Sequence, residues 1–263
     1  MKKLYIYCDG GFGNRYGTLL GGLHVATYHN MHPIIIWRNT PSCRLSFDKI
    51  FINEFEVIDE PLDNFSDCIL MMHENFIQGK ENYDINSFDS IDNLPIGEYG
   101  DYLYNNNWIP EWMDENSIVH MGKNLLFLDS IKHFSDMFAK NHGIDKFTIG
   151  VHLRATDFNT YTPKFDKEYK WIEEQPEQKF FVLSDDSNVE NKFNKLNNVV
   201  VRRKEHYVKK ENKEGGWCGN IERSEESVMD ALIDLTILSK TNIIVNSPSS
   251  FLKTSLLLQK IHG

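Results

Sequence analysis

The chain has few cysteines, and none of them are paired in a motif. Cys8, Cys43, Cys68 and Cys218 lie far apart among 263 residues, and no CxxC spacing occurs. This pattern disfavours a disulfide framework and a cysteine-based zinc site. We expect reduced, mostly buried thiols.

Basic residues and long apolar runs are also scarce. The 28 basic residues are outnumbered by 38 acidic ones, a formal net charge of −10, so nucleic acid or an anionic membrane surface is not expected as the main partner. No apolar run approaches the length of a membrane span, and the stretch 4–8 is too short for the core of a signal peptide. We expect a soluble, cytoplasmic protein without a membrane span.

Strand and helix patterns alternate in the first half of the chain. Strands are predicted at 4–8 and 33–37, with a helix at 15–30 between them, and this order predicts a right-handed parallel unit. Further strands are expected at 55–58 and 68–72, with irregular connections over 81–107. A helix is predicted at 125–142, with apolar residues spaced for a buried face: Leu126, Leu128, Ile131, Phe134, Met137 and Phe138.

A second α/β series begins near Ile144. Its strands are predicted at 147–154, 179–184, 199–202 and 242–246, and its helices at 167–174, 188–196, 225–239 and after Ser249. Ser224 is a natural N-cap for the third of these helices. Two successive series predict an α/β protein with two Rossmann-like domains, residues 1–143 and 144–263, facing each other across a cleft.

Arg154, at the end of a predicted strand, is the most informative residue. His152 and Arg154 share one side of the strand because side chains alternate. Ligands of open α/β sheets gather at the carboxyl ends of strands, and a guanidinium suits bidentate contact with phosphate. The alternative is an arginine that buttresses its loop through Asp157.

A glycine-rich turn, Gly10 to Arg15, follows the first strand. Glycines let backbone N–H groups approach a ligand, and the helix start favours negative charge. The segment is not a Walker A loop, and Tyr16 stands where a GxGxxG fingerprint needs its third glycine, so dinucleotide binding is disfavoured. A plain tight turn is the alternative.

Two further segments follow predicted strands. Asp185 and Asp186 form a DD rather than a DxD pattern, which favours a hydrogen-bond acceptor for a base or ribose over a metal site. The segment 247–251 offers hydroxyls and helix-start N–H groups for an anion, and Phe251 could pack on a base. For both segments helix capping is the alternative.

A stretch rich in aromatic residues spans positions 99–112. Its rings could line an acceptor groove or form a satellite core: Tyr99, Tyr102, Tyr104, Trp108 and Trp112.

These segments, in this order, resemble the fucosyltransferase superfamily, and its NodZ-type branch most of all. The resemblance is patchy over the first 30 residues and more continuous from Ile149 onward. It is carried by Gly11-Phe12-Gly13-Asn14-Arg15, His152-x-Arg154-x-x-Asp157, Phe181 to Asp186, Asp230 to Ser239, and Ser247 to Phe251.

The resemblance implies a fucosyltransferase with a GT-B fold that transfers fucose from GDP-fucose to a glycan, with inversion and no metal or other cofactor. Arg154 corresponds to the arginine that holds the donor β-phosphate, and we expect Arg154 and Asn14 to be catalytic. Donor contacts are implied for Gly11, Gly13, Asn14, Arg15, His152, Arg154, Asp157, Asp185, Asp186, Ser247, Ser249, Ser250 and Phe251. Acceptor contacts are expected at Tyr102, Trp108 and Trp112.

The chain also departs from this family. Ala155 stands where many relatives have a second arginine, and Phe158 follows Asp157 where the α1,6-enzymes carry an acid. The general base is therefore unassigned, with Asp9, Glu74 and Asp101 as candidates, and the α1,6 linkage is not carried over.

Two other functions are compatible with this pattern, and a third is disfavoured by it. A GT-B transferase for another nucleotide sugar and a non-catalytic nucleotide- or glycan-binding module are alternatives, while the incomplete glycine pattern disfavours a dehydrogenase. The sequence leaves the acceptor, the linkage and the oligomeric state open.

Overall fold

The computed structural model describes residues 2–73, 79–97, 100–155, 164–210, 221–244 and 249–262. The chain divides into two compact units. The first comprises Met1–Thr40, Ser46–Leu126 and Lys260–Gly263, and the second comprises Pro41–Leu45 and Phe127–Gln259. Each unit contains its own parallel sheet.

The first unit is built on a six-stranded parallel sheet. Its strands are β1 (Lys3–Cys8), β2 (His32–Trp37), β3 (Glu56–Ile58), β4 (Ile69–Met72), β5 (Glu81–Asp84) and β6 (Tyr102–Asn105), in the order β3-β2-β1-β6-β4-β5. Helices α1 (Phe12–Tyr28) and α2 (Glu115–Asn124) accompany them. The strands predicted around β1 to β4 are confirmed to within a residue.

The expectation of irregular structure over 81–107 is wrong at both ends of this range. Strands β5 and β6 lie there, and β6 occupies the middle of the sheet between β1 and β4. Its four residues are all buried. A strand of four residues between polar segments shows no alternation that sequence reading can detect, and its place is set by the neighbouring strands.

Helix α1 lies unusually close to its neighbours because glycines face them. A Cβ on Gly22 would lie 2.6 Å from the Cγ2 atom of Ile6 in β1, and one on Gly17 would lie 2.5 Å from the Trp108 ring. Real Cβ atoms do not come this close, so only glycine permits the packing. Glycine has a low helix propensity, so the close packing at these positions is obtained at a cost in intrinsic helix stability.

The second unit contains a four-stranded parallel sheet and a short antiparallel pair. Its elements are α3 (Asp129–His142), β7 (Ile149–Leu153), α4 (Asp166–Glu173), β8 (Phe180–Ser184), α5 (Ser187–Phe193), β9 (Val199–Val200), β10 (Lys209–Lys210), β11 (Ile221–Glu222), α6 (Glu225–Leu238), β12 (Asn242–Ile244) and α7 (Ser250–His262). The parallel strands follow the order β12-β7-β8-β9, and β10 pairs with β11. Ser224 caps α6 as predicted, accepting a hydrogen bond from the Ser227 N–H.

Helices cover both faces of the second sheet. Alternate residues of β7 and β8, including Val151 and Val182, pack with Ile172 of α4 and Phe193 of α5. On the opposite face Phe181 and Leu183 pack with residues of α3, α6 and α7: Ala139, Ile237, Leu238 and Leu252. This three-layer arrangement with parallel strands confirms the predicted α/β class.

The predicted buried face of α3 is partly wrong. Leu126 lies before the helix, and Phe134 and Met137 are 49% and 48% exposed. The buried residues are Ile131, Ser135 and Ala139, spaced four apart, and the Ser135 hydroxyl donates to the Ile131 carbonyl. Small side chains bring α3 against α6, which the spacing of large apolar residues alone does not indicate.

Within the described ranges, no helix combines the length and the apolar character needed to cross a bilayer. The cysteines that fall in these ranges, Cys8, Cys43 and Cys68, are buried as expected, while Cys218 lies outside them.

The close contact of α1 leads to a prediction about Gly17. We expect Gly17→Ala to lower the free energy of unfolding by about 1–3 kcal/mol, because the new methyl overlaps the Trp108 ring. The measurement is urea denaturation followed by circular dichroism. Gly11→Ala is the matched control, since its φ is −71° and a Cβ at this position would have no neighbouring atom within 4 Å. Equal stabilities of the two variants would contradict the packing argument.

Candidate functional site

Polar residues collect at the carboxyl edge of the second sheet. Arg154 follows β7 and Asp185 follows β8, and the two strands end in register, with Leu153 paired to Ser184. Arg154 is partly exposed, while Leu153 and Ala155 on either side of it are buried. The arginine side chain therefore starts from a fixed backbone at the edge where ligands of parallel sheets bind.

The end of β8 holds the backbone on both sides of Arg154. The Ser184 hydroxyl donates to the Leu153 carbonyl at 2.6 Å, and a carboxylate oxygen of Asp185 accepts the Ala155 N–H at 2.6 Å. The Ser184 hydroxyl also accepts the Asp186 N–H at 3.2 Å. Two bonds that flank one residue restrict its backbone more than a single bond does.

Helix capping accounts for two of the residues expected at the site. The Asp186 carboxylate accepts the Asn188 N–H at 2.7 Å at the start of α5, and the Ser249 hydroxyl accepts the Leu252 N–H at 3.2 Å at the start of α7. Both are the capping roles that the sequence left open. Donor contacts of Asp186 and Ser249 stay predictions, as does the contact expected for Ser250 in the first turn of α7.

His152 and Phe251 form an aromatic pair on the α7 side of the sheet. Their rings are stacked, with centroids 4.6 Å apart and planes at 21°, and His152 is buried. The stack brings together a strand residue and a helix residue that the sequence placed in separate segments. Asp157 and Ser247, the remaining residues expected in this part of the site, lie outside the described residues.

Behind this edge lies a buried ion cluster that sequence reasoning missed. We call it the Glu190 cluster, and it consists of Glu190, Arg202, Lys204, Tyr207, Asp230 and Asp234. The side chains of Glu190, Asp234 and Lys204 are 2%, 3% and 6% exposed. Groups this deeply buried retain charge only when they are paired.

The contacts within the Glu190 cluster form a continuous chain. Lys204 bridges the carboxylates of Glu190 and Asp234, at 2.9 Å to the latter. The Arg202 guanidinium donates to Asp234 at 2.5 Å, to the Asp230 carboxylate at 2.8 Å and to the Asp230 carbonyl at 2.7 Å. The Tyr207 hydroxyl donates to the second oxygen of Glu190. The cluster thereby ties α5 and α6 to the segment after β9.

The pKa values of the cluster follow from burial and pairing. Burial raises the pKa of the Glu190 carboxyl, although Lys204 opposes this. For Lys204 burial acts to lower the pKa, but Asp234 and Glu190 outweigh it and leave the pKa raised. Burial and the bond to Glu190 raise the pKa of Tyr207 to about 12. At neutral pH Lys204 is charged and Tyr207 carries its proton.

A signal for this cluster was present in the sequence. Asp230 and Asp234 stand four residues apart in the stretch 228–235 of α6, whose other residues are apolar, and this spacing places both acids on one face. Arg202 and Lys204 are separated by one residue just after a strand. Buried acids require cations, so the two pairs could have been matched.

In the first unit, Arg15 is committed to internal contacts. Its guanidinium donates to the Gly10 carbonyl at 2.9 Å, to the Arg38 carbonyl at 2.7 Å and to the Thr40 hydroxyl at 2.8 Å, and it lies 5.0 Å from the centre of the Trp37 ring. The residue is 0% exposed. Its geometry favours a role in holding the glycine turn, and direct contact with a donor stays a prediction.

The turn that Arg15 holds starts at Gly10, whose φ is +76°, a conformation that glycine adopts readily. Gly11 precedes α1, and Gly13 and the partly buried Asn14 lie in its first turn. Asp9 is exposed at the carboxyl end of β1, whereas Asp101 precedes β6 at the opposite edge of this sheet. Of the candidate bases, Glu74 lies outside the described residues.

The aromatic residues expected to bind an acceptor have mixed surroundings. Tyr102 is fully buried in β6 and its hydroxyl accepts the Gly97 N–H at 2.8 Å, which fits the core alternative. The Trp112 indole donates to the Ile85 carbonyl at 3.0 Å, and Trp108 packs on Gly17. Trp108 and Trp112 are partly exposed, and their acceptor contacts stay predictions.

The part of the chain that the structure describes contains no group of three or more histidine, cysteine or acidic side chains arranged to hold a metal ion.

Two α/β units, each with a parallel sheet and polar residues at its carboxyl edge, define a protein of GT-B architecture. Solved fucosyltransferases share this fold. The chain matches NodZ from Bradyrhizobium with a TM-score of 0.64 at 15% identity, over 98% of this chain and 92% of that one.

Two other fucosyltransferases match over the whole chain. POFUT1 in complex with GDP-fucose gives a TM-score of 0.57 at 12% identity and is covered to 95%, and a variant of FUT1 from Arabidopsis thaliana in complex with GDP gives 0.60 at 13% identity and is covered to 69%. No protein-family model and no curated protein match the sequence. At these identities the likeness establishes the fold, and the predicted GT-B-like class is confirmed.

The Glu190 cluster leads to a prediction about Lys204. We expect Lys204→Met to lower the free energy of unfolding by about 3–5 kcal/mol, because two buried carboxylates lose their shared cation. Thermal and urea denaturation measure the loss. The control is Lys240→Met, since Lys240 pairs with the largely exposed Asp136 and such a pair contributes at most about 1 kcal/mol. Similar stability of the two variants would show that the cluster does not hold the unit together.

Proposed function

We propose that this protein is a glycosyltransferase that moves fucose from GDP-fucose to a hydroxyl of a glycan, with inversion at the anomeric carbon and without a bound metal ion. The observation that carries the proposal is the backbone of Arg154, held on both sides at the carboxyl end of a central strand. Support also comes from the fold, which the chain shares with NodZ soaked with GDP-fucose and with POFUT1 in complex with GDP-fucose.

Arg154 has the central role in the proposed reaction. The acceptor oxygen bonds to the anomeric carbon while the bond from that carbon to the β-phosphate oxygen breaks, and the electron pair leaves with GDP. The Arg154 guanidinium stabilises the negative charge that builds on the diphosphate, and its fixed backbone keeps the cost of reorganisation low. The N–H groups at the start of α7, near Ser249 and Ser250, add to this stabilisation.

Other residues orient the donor in this proposal. The nucleoside packs on Phe251, which is partly exposed and stacks on the buried His152. The segments that the family uses for the nucleotide contain Asp157, Asp185, Asp186 and Ser247. Asn14 and the glycine turn contact the donor from residues 1–143, the acceptor side, while residues 144–263 form the donor side. These assignments rest on the motif match.

The acceptor proton needs a base or a route to solvent. Of the two candidates within the described residues, Asp9 is the better placed, because it is exposed and follows β1 at the carboxyl edge of its sheet. The acceptor is a glycan whose sugar faces pack on Trp108 and Trp112, with a cytoplasmic location for the reaction.

The role of Arg154 is tested by Arg154→Ala. We expect the rate of transfer from GDP-fucose to fall by about 10²–10³, with unchanged circular dichroism, because one preorganised donor to the leaving group is lost. The rate is measured with a panel of glycan acceptors, with and without EDTA, and EDTA should have no effect. Lys195→Ala is the control, since this exposed lysine precedes β9 at the amino edge of the sheet. Full turnover by Arg154→Ala would contradict the assignment.

The donor class is tested by thermal shift with GDP, UDP and TDP. We expect GDP alone to raise the melting temperature, by an amount that corresponds to about 2.7 kcal/mol at 100 times its Kd. A shift with UDP or TDP instead would favour another nucleotide sugar. A shift with GDP without donor hydrolysis or transfer to any glycan would favour a binding module.

A further inference from the structure

We propose that Glu190 is a positioning residue that sets the location of Arg154 through the end of β8, and thereby governs how tightly the protein holds the diphosphate of its nucleotide. This inference rests on the proposed function, because it assumes that Arg154 contacts the diphosphate. It adds a residue that no sequence motif pointed to.

The first link joins Glu190 to β8. Carboxylate oxygen Oε1 of Glu190 accepts the backbone N–H of Ser184 at 2.9 Å, across a separation of six residues. This bond fixes the last residue of the strand to the first helical turns of α5. Because Glu190 is buried, it cannot itself reach a ligand and must act through the residues that it holds.

The second link joins β8 to Arg154. Ser184 bonds the carbonyl before Arg154, and Asp185 bonds the N–H after it. A displacement of Ser184 moves both contacts together, since the two residues are adjacent in the chain. The position of Arg154 therefore depends on the acceptor that Glu190 provides.

The other contacts of Glu190 keep its carboxylate in one place. Lys204 contacts the oxygen that accepts from Ser184, and the Tyr207 hydroxyl donates to the other oxygen. Lys204 is in turn held by Asp234, which Arg202 also contacts. A carboxylate with donors on both oxygens has a single orientation, which is the property that a positioning residue requires.

Two substitutions separate this role from simple stabilisation. In Glu190→Gln, the amide oxygen can still accept from Ser184 and Lys204 while the amide NH₂ donates to Tyr207. Glu190→Ala removes the acceptor altogether. We therefore expect Glu190→Gln to lower stability but to keep Arg154 in place. Glu190→Ala should both lower stability and displace Arg154.

The experiment measures the Kd values of GDP and GMP by calorimetry, well below the melting temperature of each variant. The β-phosphate is the difference between the two nucleotides, so the ratio of Kd values reports on Arg154. We expect Glu190→Ala to reduce the preference for GDP by about tenfold or more, and Glu190→Gln by less than about threefold. Ser184→Ala is a smaller change, and this variant should fold. We expect it to reduce the preference for GDP as Glu190→Ala does, because it removes the bond to the Leu153 carbonyl.

Phe193→Leu is the matched control, because Phe193 lies on the same helix in the hydrophobic core and touches none of these polar contacts. It should lower the melting temperature and leave the preference for GDP unchanged. Glu190→Ala and Ser184→Ala could also leave the preference for GDP unchanged while Arg154→Ala abolishes that preference. In this case the positioning role is wrong and the proposed function stands. If Arg154→Ala itself has no effect on the ratio, the proposed role of Arg154 fails.

A double variant completes the test. Once Arg154 is replaced by alanine, its position no longer matters, so adding Glu190→Ala should change the preference for GDP no further. Additive losses in the double variant would show that Glu190 acts on the nucleotide by another route and would overturn the inference.

Discussion

The hydrogen bonds that join the ends of β7 and β8 decide where the polar groups of the second unit lie. Ser184 and Asp185 hold the backbone before and after Arg154, so the arginine side chain leaves the sheet from a defined point. Arginine side chains are long and lose considerable entropy when they are ordered. A fixed starting point reduces that loss, and this is why adjacent residues of a neighbouring strand matter to the chemistry proposed for Arg154.

Much of the fold could be predicted from the sequence, because parallel strands buried on both faces are continuous apolar runs bounded by turn residues. Strands β7 and β8 follow this rule, and helix α6 was indicated by its Ser224 cap and the apolar stretch behind it. Strand β6 does not, since its four residues are recognised as a strand only beside β1 and β4. Phe134 and Met137 show the opposite error. Their spacing predicted a buried face, but both are exposed, and α3 buries Ser135 and Ala139 instead.

Residues of the candidate site could be predicted where their type and their place next to a strand or helix are visible in one short segment. Arg154, Asp185 and Phe251 each stand at a strand end or helix start, positions that a linear pattern reveals. The bond between Ala155 and Asp185, the stack of His152 on Phe251 and the Glu190 cluster join residues from different elements. Such pairings depend on register and packing, which one sequence does not display. Arg15 shows that a charged residue in a motif can instead form its hydrogen bonds within the protein, here to the Gly10 and Arg38 carbonyls.

The depth of the Glu190 cluster has a consequence for ionic conditions. Dissolved ions weaken attraction between charges only where they can come between or around them, and the side chains of Glu190, Lys204 and Asp234 are almost entirely shut off from solvent. Exposed ion pairs such as Lys170 with Glu174 are screened at high ionic strength. The carboxyl edge of the second sheet should therefore keep its shape at salt concentrations that abolish exposed ion pairs.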